Sequence, residues 1–122
     1  MKWLFELLRT PSSFPADPWG YARNQIGHGY IVGGLPVLIW PPLIVPLIIG
    51  YILWEDLQIT LFLADLSDSL EDLANVAVVA LAAWLMQPLI LVIHLLFLAA
   101  GIRRRVEERN RAKEAASWHA TA

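Results

Sequence analysis

The chain has no cysteine. That excludes a disulfide framework, thiolate catalysis and cysteine-held zinc, and it leaves the redox compartment unread. Charge is missing over long stretches. From Ile26 to Trp54 there is no Asp, Glu, Lys or Arg, and from Leu73 to Ile102 there is again none, although Gln87 and His94 interrupt that second run. Met1 to Arg9 lacks the unbroken apolar core of a secretory signal, because Glu6 and Arg9 interrupt it. The chain is therefore expected to enter a membrane through its own spans. Phosphate loops, nucleophile elbows and calcium loops are absent too; the acids between Asp65 and Asp72 lack the glycine and the twelve-residue layout of a calcium loop.

What is present is mostly apolar. Of 122 residues, 57% are hydrophobic and 16% charged, with a mean hydropathy of +0.54. Soluble domains lie nearer ~45–50% apolar. A chain this short cannot cover two uncharged runs with its own polar surface, whereas a lipid surrounding leaves them nothing to hide from. The expected fold is all-α: a polytopic membrane protein with three transmembrane helices, a short N-terminal amphipathic helix and a charged C-terminal helix.

The segments follow from local pattern. Residues 2–9 place Lys2, Glu6 and Arg9 on one side of a helix, which suits the membrane interface or a berth on the protein's own spans. Thr10 to Gly20 is a loop carrying Pro11, Pro15 and Pro18, and Trp19 and Tyr21 follow as interfacial anchors. Spans are expected over about 24–40, 43–63 and 72–102, which divides the chain into 1–23, 24–102 and 103–122. Trp40-Pro41-Pro42 forms the first hairpin, and Asp68 or Ser69 caps the last span. Pro88 is expected to kink that span, which at ~1.5 Å per residue would run ~45 Å. Gly27, Gly29, Gly33 and Gly34 let another helix approach the first closely.

Six of the nine Lys and Arg lie after Gly101, against Lys2, Arg9 and Arg23 before the first span. With three spans the ends lie on opposite faces, and the C-terminal tail is predicted to be cytoplasmic, with the bacterial inner membrane the expected location. A re-entrant hairpin over 26–61 would instead put both ends in the cytoplasm. The tail also carries Glu107, Glu108 and Glu114, so its mixed charge reads as a solvated helix face, and no nucleic acid is expected.

Polar side chains recur near one membrane face. Asn24 and His28 open the first span, Glu55 and Gln58 close the second, and Asp72 and Asn75 open the third. Each pair is spaced i,i+3 or i,i+4 and so shares a helix face. Charged groups at membrane depth cost about 2.5–3.5 kcal/mol each on insertion scales, so they persist where they pair or where they act. His28, Glu55, Gln58, Asp72 and Asn75 form the candidate polar pocket, with Asp68 and Glu71 near its rim. Such oxygen-rich sets suit a divalent cation or acid–base work, and equally suit hydrogen bonds that lock helices together. The pattern specifies no particular metal and no cofactor. His94, alone in its apolar run, is expected to make a helix-packing hydrogen bond.

The order of His28 in Gly-His-Gly-Tyr, Glu55 and Gln58 in Trp-Glu-Asp-Leu-Gln, then Ser69, Asp72 and Asn75, resembles the VanZ-like family of small bacterial membrane proteins over about residues 24–85. Asn24 and Gln25 stand where that family carries an acid and a lysine, and its four-residue spacing before the Asn selects Glu71 rather than Asp72. The resemblance implies a helical membrane protein, and the three-span topology would put its polar pocket on the face outside the cytoplasm. Such a pocket would bind a lipid headgroup, a cation or an envelope precursor, without catalysis. Two other roles fit the same features: an accessory subunit of a larger membrane complex, or a phage-type membrane protein, either a holin or a DNA-ejection component. Membrane lipid, other subunits or further copies of itself are the expected partners.

Overall fold

The computed structural model describes residues 9–121, and every element in it is helical. The interfacial helix expected over 2–9 falls, except for Arg9, outside the described residues. After a short turn at Pro11–Ser13, four rods follow. In α1, Pro18–Ile26, Gly27–Gly34 and Leu35–Ile39 run on end to end, the middle segment wound as a π-helix. The second rod, α2, opens with a tight turn at Pro41–Leu43 and continues over Ile44–Phe62. Then come α3 (Leu66–Leu85) and α4 (Leu91–Thr121, entered through a turn at Pro88–Ile90).

The expected third span is therefore two helices. Met86 takes a left-handed conformation with φ 53°, and the Gln87 N–H donates back to the Ala82 carbonyl at 3.0 Å. That bond closes the helix before Pro88, so the proline opens a new helix instead of kinking an old one. The chain then passes along the bundle four times, and its two ends meet. Arg105 Nη2 donates to the Pro11 carbonyl at 3.3 Å, and the Ala16 N–H donates to Glu108 at 3.3 Å. The Pro11–Ala16 loop and the Arg105–Glu108 turn of α4 thus lie at the same end of the bundle. A second difference is the start of α3. Asp65 caps it by accepting the Ser67 N–H at 3.1 Å, while Asp68, one expected cap, accepts the Ser12 N–H at 3.1 Å and ties the N-terminal loop to α3.

The glycines of α1 decide the packing. A Cβ at Gly33 would lie 2.5 Å from the Val76 carbonyl oxygen, and one at Gly29 would lie 3.0 Å from both His94 and Val79. Backbone thus meets backbone where α1 runs parallel to α3. The widened π turn lies in this glycine-rich stretch and carries His28.

Burial is inverted relative to a soluble protein. Among the described residues, the buried set holds eleven polar or charged side chains and ten apolar ones, and large apolar side chains crowd the outside, with Leu63 at 90% exposure. One described helix, Pro41–Phe62, is by length and composition apolar enough to cross a membrane unaided, at 22 residues and mean hydropathy 1.5. The other rods fall short of that test for visible reasons. A π segment interrupts α1, three acids occupy the first two turns of α3, and α4 turns charged at Arg103.

Candidate polar site

Three helices each contribute one stripe. The side chains that α2 buries are Tyr51, Glu55 and Gln58, spaced four and three residues apart on one face of an otherwise outward-facing helix. Along α3 the buried polar residues are Asp68, Ser69, Asp72 and Asn75. From α1 come Gln25 and His28, also buried and three residues apart.

Their hydrogen bonds form one network. Asp72 Oδ1 accepts from Gln25 Nε2 at 2.6 Å and lies 3.1 Å from His28 Nδ1. A carboxylate only accepts, so His28 carries its proton on Nδ1 toward Asp72. The Tyr51 hydroxyl lies 3.5 Å from the same nitrogen, with the two rings edge to face at 71°. Asn75 Nδ2 donates to Gln25 Oε1 at 2.5 Å and to the Glu71 carbonyl at 2.8 Å. Gln25 also donates to Asn24 Oδ1 at 3.0 Å, and Asn24 Nδ2 donates to the Arg9 carbonyl at 2.9 Å, anchoring the loop to the site.

Glu55 stands apart from this network. Its side chain is 4% exposed and faces Ser69 and Tyr51, yet neither carboxylate oxygen has a hydrogen-bond partner of normal geometry. The Ser69 hydroxyl oxygen and Asn75 Oδ1 are buried in the same condition. Native structures leave few buried polar atoms in that state, and each one asks for an explanation. The open positions are mainly acceptors, and the Ser69 and Tyr51 hydroxyls that face Glu55 are the donors nearest to it.

Of the residues picked out in the sequence, His28, Asp72 and Asn75 are joined through one amide, Glu55 lies beside them, and Gln58 is buried one turn further along the same stripe. The joining amide, Gln25, and the phenol, Tyr51, were not among them. Both were findable, because Gln25 precedes His28 by three residues and Tyr51 precedes Glu55 by four. His94 faces the Gln25 backbone on α1, the helix-to-helix contact its position suggested. It is fully buried, edge-on to Tyr30 at 5.2 Å, and both ring nitrogens lack a partner of normal geometry.

At the rim, Tyr21 is fully buried and is not the interfacial anchor its position suggested. Its hydroxyl donates to Glu71, its ring lies 4.1 Å from the Arg105 guanidinium, and Gly101 leaves room for it. Among the described residues no group of three or more His, Asp or Glu is arranged to hold a metal ion. A scan against protein-family models and searches of curated proteins and of solved structures found no match to this chain.

Proposed function

We propose that this chain is a four-span integral membrane protein with a non-catalytic polar site between α1, α2 and α3. The carrying observation is the inversion of burial: amides, carboxylates and histidines face inward, and leucines, isoleucines and tryptophans face outward. At ~1.5 Å per residue the 22 residues of Pro41–Phe62 reach ~33 Å, enough for a ~30 Å hydrocarbon core. The turns at Trp40–Leu43 and Met86–Ile90 carry no charge, whereas Arg9, Arg23 and the six basic residues of the tail all lie at the other end. By the positive-inside rule that end is cytoplasmic, which would put the polar site on the cytoplasmic side, opposite to the side that three spans implied. The site's acceptors, Glu55 and Asp72 among them, favour a donor-bearing lipid headgroup over an anionic envelope precursor.

The absence of cysteine makes the topology directly testable. Single cysteines at Ser117 and Gln87 are probed with a membrane-impermeant maleimide in spheroplasts. Gln87→Cys is expected to react from outside, and Ser117→Cys only after permeabilisation. Reaction of both from the same side sinks the four-span reading.

A further inference from the structure

We infer that the groove between α3 and α4 is a binding site for one anionic phospholipid, with its phosphate on Arg104 and Arg105 and an acyl chain along the groove floor. The groove encloses about 440 Å³ and adjoins the α1–α2–α3 polar site through Asn75, which lines both. Leu70 and Ala74 from α3 and Phe97 and Ala100 from α4 line it with apolar surface, with the buried Asn75 between them. Its rim holds Arg104 and Arg105, with Glu71 facing them.

The rim is prepared for an anion. Arg105 is 5% exposed, held flat over Tyr21 at 4.1 Å and hydrogen-bonded to the Pro11 carbonyl, yet its Nε–H is buried with no partner. A guanidinium fixed in place with a free donor presents the fork geometry that phosphate oxygens match. Glu71, the acid at the rim, is already engaged by the Tyr21 hydroxyl. Arg104 pairs with Glu108 at 3.3 Å, but its side chain is 72% exposed, and an exposed pair of this kind yields readily to a phosphate. The rim lies at the basic end of the bundle, the level at which a cytoplasmic-leaflet headgroup meets a helix emerging from the membrane. An apolar trough running down from two arginines matches a molecule with an anionic head and a hydrocarbon tail. A soluble phosphate would leave the trough empty.

The proposal rests on the membrane reading, which cysteine labelling tests separately, so the two fail independently. The experiment is native mass spectrometry of the full-length protein in mild detergent, titrated with palmitoyl-oleoyl phosphatidylglycerol and, separately, with the matching phosphatidylethanolamine. Phosphatidylglycerol is expected to bind as a single adduct and to be preferred about fivefold or more, the contribution of one surface arginine. Arg104→Gln, at an exposed position that the fold does not need, should lower that preference to near unity. Ala100→Trp, which fills the trough, should weaken both lipids while the circular dichroism of the protein stays helical. Equal binding of the two lipids, or a preference that survives both substitutions, overturns the inference. A stable two-copy species that Ala100→Trp dissociates would overturn it as well, and would assign the groove to a second copy of the chain.

Discussion

The two ends of the bundle carry opposite chemistry. At one, α1 begins, α2 ends, α3 begins and α4 leaves the bundle, and there the charge of the described residues is concentrated: Asp65, Asp68, Glu71 and Asp72 beside Arg9, Arg23 and Arg103 to Arg105. At the other, two proline turns reverse the chain at Trp40–Leu43 and Met86–Ile90 without one charged side chain. The charged end is held by specific partners. Asp72 gathers Gln25 and His28, Asp68 ties down Ser12, and Arg105 ties down Pro11. The uncharged end is held by backbone geometry and apolar contact. An apolar hollow of about 450 Å³ lies there, lined by Leu38, Val79, Met86 and Pro88 among others. Specificity therefore resides at one end, and the other supplies reversals that need only proline and a left-handed residue.

This contrast can be broken by substitution. The largest effect is expected midway between the ends, where α1 and α3 touch through backbone. Gly33→Val would drive two methyl groups into the Val76 carbonyl, which no rotamer change relieves, and should cost about 3 kcal/mol or prevent accumulation altogether. Thermal unfolding in detergent checks it; a melting point equal to the parent's would mean that the two helices do not meet as described.

At the charged end, Asp72→Ala leaves Gln25 Nε2 and His28 Nδ1 buried without their acceptor, at an expected cost of about 2 kcal/mol. Gln87→Ala at the uncharged end should change stability by less than about 0.5 kcal/mol, having no comparable partner to lose. Equal effects at the two positions would erase the distinction drawn between the ends.

The smallest effect sharpens the comparison by being the same at both ends. Leu63 and Met86 each close a helix at φ 53° and ψ 36°. A side chain in that left-handed conformation costs about 1 kcal/mol that glycine avoids. Leu63→Gly and Met86→Gly should therefore each raise stability by about 1 kcal/mol, read from the same melting curves. A gain at one site alone would show that the neighbouring side chains, and not the backbone, decide the turn.

Much of the polar site was legible because its logic is local. His28, Glu55 and Gln58, Asp72 and Asn75 recur at helical spacing, and alternating spans carry such pairs to one end whatever the details of packing. Gln25 and Tyr51 were passed over because an amide and a phenol beside an apolar run look like ordinary helix surface until a carboxylate is placed opposite them. The longest error was the third span. Pro88 inside a long uncharged run reads equally as a kink or as a new start, and the choice lies in the conformation of Met86, which favours no left-handed turn by its own chemistry. From that choice followed the number of helices in the bundle and the end at which α4 leaves it.

By itself the sequence determined that the protein is helical, that its charge is confined to a few segments, and that its acids and amides share helix faces. Those properties depend on residue type and on the 3.6-residue period, which operate within a single helix. Tertiary structure alone decided that the apolar stretch from Leu73 to Ile102 folds back on itself, that Gly33 brings α1 onto the α3 backbone, that Tyr21 and Arg105 stack across eighty-four residues of chain, and that Glu55 is buried facing Ser69 and Tyr51. Each of these depends on what lies opposite a side chain, and one strand of sequence carries no record of its neighbours in space.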